Sequence, residues 1–148
     1  MTTMRAHYMT ALVVLATVFA AGIGRTVVTA QAKKTVWTGI YTAEQSAKGK
    51  TLANENCAPC HGADIKGGDL APTLSGNDFI GHWYDAKLSE LADKVALTMP
   101  ANAPGSLKSD EYAAVLAYML EVNGVPAGME TLQMDKPTLD SIMIVKKP

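Results

Sequence analysis

The sequence predicts an all-α domain: three main helices joined by loops long enough to wrap around a bound group. Three observations lead there. Apolar residues recur at helical spacing in two stretches, around 88–96 and 112–120. A helix-opening signal stands at Thr42, and the segments between these stretches are rich in Gly, Pro, Ser and Asn. Three short helices give only a small core, and long loops in so small a domain are organised around something.

The 148 residues fit one domain. With 48% hydrophobic and 18% charged residues and a net charge of −1, the chain is too apolar for disorder and lacks the basic excess of a nucleic-acid binder. No run of about 18 uncharged apolar residues occurs, which excludes a polytopic membrane protein. The two cysteines, Cys57 and Cys60, are too few for a disulfide-stapled scaffold.

Residues 1–32 read as a secretory signal peptide. Arg5 and His7 lie in an acid-free start, and residues 11–23 (ALVVLATVFAAGI) form an apolar run. Such a run spans about 20 Å as a helix, short of the roughly 30 Å hydrocarbon layer. Ala30-Gln31-Ala32 offers a small-x-small cleavage site, and Val28-Thr29-Ala30 a second. An uncleaved anchor is the alternative, opposed by Gly24 and Arg25, which interrupt the run. Removal takes Arg5 and Arg25 with it and leaves a mildly acidic periplasmic protein without a membrane span. Two cysteines three positions apart would oxidise in that compartment unless occupied.

After a lead-in over residues 33–41, Thr42-Ala43-Glu44-Gln45 has the form of a capping box and predicts a helix to about Cys57, with Gly49 inside it at a cost of about 1 kcal/mol relative to Ala. Residues 62–85 read as loop. A second helix is expected over about Ser89 to Thr98, with Leu88, Leu91, Ala92, Val95 and Ala96 on one face and Pro100 ending it. Residues 99–106 (MPANAPGS) form a Pro- and Gly-rich loop. The third helix has Ser109 as N-cap, Asp110 and Glu111 in its first turn and Asn123-Gly124 at its end, with Tyr112, Val115, Leu116, Met119 and Leu120 as one buried stripe. The tail, residues 125–148, has no helical period; residues 141–145 (SIMIV) form a short strand or lie across the domain.

Cys57-Ala58-Pro59-Cys60-His61 is Cys-x-x-Cys-His, the attachment pattern for c-type haem. Two thiols so spaced at a helix end each add to one haem vinyl group, and the next imidazole stands over the iron. Attachment also consumes both thiols. A thioredoxin-like site expects a βαβ setting that is missing, zinc would need His82 swung in beside Cys57, Cys60 and His61, and a structural disulfide gives His61 no role. One covalent haem c is therefore the expected cofactor. For the sixth ligand the candidate is Met99, in a loop before Pro100, because a neutral thioether favours ferrous iron. His82 is the rival, and packing is the alternative reading of Met99. Met119 reads as core, Met129, Met134 and Met143 as packing in the tail, and Asp64, Lys66 and Asp69 as a solvated loop. Trp83 is a candidate to donate its indole N–H to a haem propionate, or else packs at the domain edge.

At this point the sequence resembles a class I bacterial cytochrome c over about Val36 to Gly128. The resemblance rests on Gly49 eight positions before Cys57, on Cys57–Gly62 (CAPCHG), on Ala71-Pro72, on Thr98-Met99-Pro100, and on the third helix with Tyr118. It implies the cytochrome c fold over residues 42–124, thioethers at Cys57 and Cys60, His61 as proximal and Met99 as distal axial ligand. It also implies a Pro72 carbonyl that accepts from the proximal imidazole. Gly49 would pack crosswise against Tyr118. An aromatic usual four residues before the first Cys is here Ala53, which puts the tightness of that crossing in doubt. Residues 36–50 (VWTGIYTAEQSAKGK) are similar to small cytochromes of exported quinoprotein dehydrogenase systems.

The expected function is one-electron transfer between a periplasmic dehydrogenase or membrane donor and an oxidase or other haem acceptor. The carrier would be a monomer that forms transient complexes and is not an enzyme. The alternatives are a dedicated cytochrome subunit of a quinoprotein dehydrogenase complex, with residues 125–148 as a docking arm, and a haem enzyme or gas sensor with open iron.

Overall fold

Thr42 opens the first long helix of the computed structural model, which describes residues 33–148; the predicted leader lies outside the described residues. Its hydroxyl accepts from the Gln45 N–H at 3.1 Å, so α1, Ala43–Asn56, begins where the cap predicts. The reciprocal half of the capping box is not made. The Gln45 side chain turns away and clasps the Leu132 backbone, donating to its carbonyl at 2.8 Å and accepting from its N–H at 2.9 Å. A long-range partner has displaced the local one.

A single further turn, α2 (Ala58–His61), carries the end of the Cys-x-x-Cys-His motif. The stretch expected to be loop contains a 3₁₀ turn at Ala63–Ile65 and a short helix α3, Asn77–His82. Neither is long enough to display a 3.6-residue period. The second predicted helix is α4, Leu88–Thr98, and the third is α5, Ser109–Val122. Lys108, not Ser109, precedes the first turn of α5, where the Glu111 carboxylate accepts from the Lys108 N–H at 2.8 Å. Gly124, at φ 80°, ends it as expected.

The expected single stripe on α5 is too modest: every residue from Tyr112 to Leu120 is buried, Ala113, Ala114, Ala117 and Tyr118 included. The crossing with α1 explains part of this. A Cβ on Gly49 would sit 1.8 Å from the Ala114 carbonyl oxygen and 3.1 Å from Tyr118 Cβ, so the two backbones touch where only glycine fits. Ala53, one turn on, is wholly buried. The crossing is tight with alanine at that position. Lys48 and Asp110, 2.6 Å apart, and the Ser46–Glu121 hydrogen bond fasten the same two helices.

The tail is part of the core. It forms α6, Lys136–Asp140, and the strand β2, Ile142–Met143, which pairs in parallel with β1, Lys34–Thr35. Leu132, Leu139, Ile142 and Ile144 are buried, each contributing roughly 1.5–3 kcal/mol. The Trp37 indole donates to the Val145 carbonyl at 2.8 Å, and Ile144 exchanges backbone hydrogen bonds with Asp85 and Ala86, each at 2.9 Å. Met129 is the exception to the packing expected of the tail methionines: it is 96% exposed.

Two consequences are measurable. Gly49→Ala should lower stability by about 2 kcal/mol or more, because backbone must move to admit the methyl group. Gly81→Ala meets only Tyr84 Cε2 at 3.8 Å and should leave the denaturant midpoint unchanged or raised.

Burial, with the Glu121 charge adding to it, pushes the Tyr41 phenol from 10.0 up to about 12. Burial and then Asp64, which accepts a hydrogen bond from the hydroxyl, do the same to Tyr118. Folding favours the neutral form of both. Their contribution is complete below pH 10 and is lost as the pH rises towards 12. An ultraviolet phenolate titration should therefore show a late phase that coincides with unfolding and shrinks in Tyr41→Phe.

Candidate haem site

The Cys57 N–H bonds to the Ala53 carbonyl at 2.8 Å, and those of Cys60 and His61 both return to the Cys57 carbonyl, at 3.1 and 2.9 Å. Pro59 falls in the first turn of α2, where a missing N–H costs nothing. One turn of helix thus groups both thiols and the imidazole. Burial pushes the Cys57 thiol up; Cys60 is exposed.

The chain then folds under the motif. Gly62, at φ 77°, lies so close to the Gly67 carbonyl oxygen that a Cβ would be 2.0 Å away, and a Cβ on Gly68 would be 2.8 Å from the Cys60 carbonyl oxygen. The Gly67 N–H donates to the His61 carbonyl at 2.7 Å. This hairpin delivers Pro72, whose carbonyl oxygen is 2.7 Å from Nδ1 of the buried His61. A carbonyl only accepts, so Nδ1 is the donor; in the neutral ring that leaves the lone pair on Nε2, the form in which imidazole binds a metal.

Met99 stands at the end of α4, its N–H on the Val95 carbonyl at 2.9 Å and its own carbonyl accepting from the Tyr112 hydroxyl at 2.7 Å. Two hydrogen bonds on either side of one residue make this an ordered part of a Pro-rich loop. Cys57, Cys60, His61, Pro72, Trp83 and Met99 all line one cavity of about 600 Å³. Phe79, Leu91, Val95, Val115 and Met119 supply much of its apolar wall. Met119 is therefore both core and cavity lining. His82 is exposed and does not line the cavity. Asp64 is not merely solvated, for it is held by Lys50 at 3.1 Å and by the Tyr118 hydroxyl at 3.2 Å. The hydrogen bond and charge of Lys50 hold its carboxyl below the usual range.

Sequence reasoning missed three of the residues that shape this site. Phe79 lies on a helix too short to recognise. Tyr112 was visible only as an apolar position. Asn123, read as a helix stop, also clamps the 74–76 segment: its amide donates to the Leu74 carbonyl at 3.0 Å and accepts from the Gly76 N–H at 3.0 Å.

An apolar cavity lined by two thiols, an imidazole of fixed tautomer and a thioether suits a haem attached by two thioethers, and the residues present fit that group. The fold and these donors define a c-type cytochrome domain. The family model described as cytochrome c oxidase, cbb3-type, subunit III matches residues 44–119, and the chain belongs to that family. It is an electron-transfer haem protein, and its cofactor is covalently bound haem c.

Two curated relatives are the cbb3-type cytochrome c oxidase subunit FixP of Bradyrhizobium diazoefficiens and the subunit CcoP of Rubrivivax gelatinosus. The first is 29% identical over 92 residues, covering 54% of this chain and 31% of FixP. The second is 31% identical over 91 residues, covering 61% of this chain and 30% of CcoP. The chain thus spans about a third of the length of either. A similar solved structure is the sulfane dehydrogenase SoxCD of Paracoccus pantotrophus, with a TM-score of 0.56, 25% identity, and coverage of 83% of this chain and 68% of that one.

Proposed function

We propose that this protein is an exported one-electron carrier in which Cys57 and Cys60 would form the haem thioethers and His61 Nε2 and Met99 Sδ would hold the iron. The observation that carries this reading is that His61 and Met99 come from separate elements to the same cavity, each with its backbone or ring already tied down. Bound haem supplies a ferric–ferrous couple. The chain supplies the rest. Pro72 holds the His61 ring and raises its basicity. Tyr112 and α4 hold Met99, while Phe79, Leu91, Val95 and Val115 keep water from the macrocycle. A site tied down in this way changes little when an electron arrives.

Two protein ligands leave no coordination position for a substrate, which supports a carrier rather than an enzyme. The half-buried Trp83 lines the cavity, and its indole N–H is the donor we propose for a haem propionate. The partners we propose are a dehydrogenase or membrane donor and an oxidase acceptor, met in weak complexes of small area. The oxidase-subunit relatives support such an acceptor, and they equally support a second reading as a dedicated subunit of a redox complex. Under that reading much of the tail is not free to reach a partner, because Val125, Leu132, Leu139, Ile142 and Ile144 are buried in the domain's own core, while Met129 stands exposed. Export rests on the leader pattern; among the described residues no helix is long and apolar enough to cross a membrane.

Produced with export and haem-maturation machinery, the protein should show a c-type haemochrome together with the weak far-red band of Met-ligated ferric iron. Met99→Ala should lose that band, lower the potential and open the ferrous iron to carbon monoxide. Haem without the band in the parent protein would contradict the axial assignment.

A further inference from the structure

The backbone just beyond the haem motif is strained in a way that electron carriage through His61 and Met99 does not by itself explain. Asp64 and Ile65 lie consecutively in the left-handed region, at φ 53° and 54°. Asp tolerates that region; a β-branched Ile there is a genuine outlier, which persists only when its surroundings over-determine it. Two sets of contacts do so. On the outer side the Asp64 carboxylate is held by Lys50 Nζ of α1 at 3.1 Å and by the Tyr118 hydroxyl of α5 at 3.2 Å. On the inner side the buried Ile65 side chain lines the cavity, and its carbonyl accepts from the Leu74 N–H at 2.9 Å. The segment between Ile65 and Leu74 carries Pro72, and it is closed from within by the Gly68 N–H on the Ala71 carbonyl at 3.2 Å. The Pro72 carbonyl is therefore fixed at His61 Nδ1 by a loop whose root is anchored at Asp64.

We propose that Asp64, gripped by Lys50 and Tyr118, is a positioning residue for the proximal ligand. It holds Asp64-Ile65 in the left-handed turn that sets the Pro72 carbonyl against His61, and so joins the α1/α5 crossing to the iron. This rests on the reading of His61 as an axial ligand. Loosening the turn weakens the Nδ1–H···O bond, makes the imidazole less basic and favours ferrous over ferric iron, so the potential rises.

The test follows the His61 Nδ1 proton by NMR in the ferrous holoprotein, with the reduction potential measured alongside. Asp64→Ala should exchange that proton roughly tenfold faster, as expected when a local opening becomes easier. Asp64→Asn, which keeps an acceptor for Tyr118 and is equally at ease at positive φ, should give a smaller rise, as should Lys50→Met. The potential should increase in the same order. Lys48→Met is the control, because Lys48 pairs with Asp110 across the same two helices but has no link to the Pro72 loop. Unchanged exchange in all three variants, or an equal rise in Lys48→Met, overturns the proposal. If Asp64→Ala does not fold, the other two variants decide it. The far-red band of the parent, recorded on the same samples, separates this outcome from failure of the axial assignment.

Discussion

Where α1 crosses α5, the backbone of Gly49 approaches that of Ala114 so closely that a side chain at Gly49 cannot be accommodated, and much of the molecule is arranged around that contact. The crossing fixes the direction in which α1 delivers Cys57, Cys60 and His61. It also presents Val115 and Met119 of α5 to the same cavity and brings Lys50 and Tyr118 to the same carboxylate oxygen of Asp64. The aromatic expected beside this crossing is replaced by Ala53, and the crossing remains tight because its closest contacts are between backbones.

The long elements were legible because their signals are local. Helical spacing marked α4 and α5, Thr42 marked the start of α1, and Gly124 the end of α5. What was not legible depends on partners distant in the chain. Gln45 has the right type and position for a capping box, yet its amide is taken by Leu132. The turn at Ala63–Ile65, α3 and α6 are each shorter than two turns, too short for periodicity to register. The burial of Leu132, Leu139, Ile142 and Ile144 shows how the small core is completed: a tail without a pattern of its own folds back over β1 and the 85–87 segment.

At the site, the contiguous motif was plain in the sequence, and one turn of helix suffices to group its three side chains. Pro72 and Met99 reached the argument by other routes, the one through resemblance and the other through its loop position. The structure gives each a physical tether, to the His61 ring and to the Tyr112 hydroxyl. Asp64 looked like an ordinary loop carboxylate because neither its left-handed backbone nor its grip by two helices leaves a trace in neighbouring residues. Met129 shows the converse error, an apolar residue read as packing that stands in solvent.

The account stands or falls on His61 and Met99 sharing one iron. Iron-edge X-ray absorption of the oxidised holoprotein tests this most directly, because sulfur and nitrogen neighbours scatter differently. The account predicts a sulfur among the atoms bonded to iron in the parent protein and its loss in Met99→Ala. Only nitrogen and oxygen neighbours in the parent would contradict it.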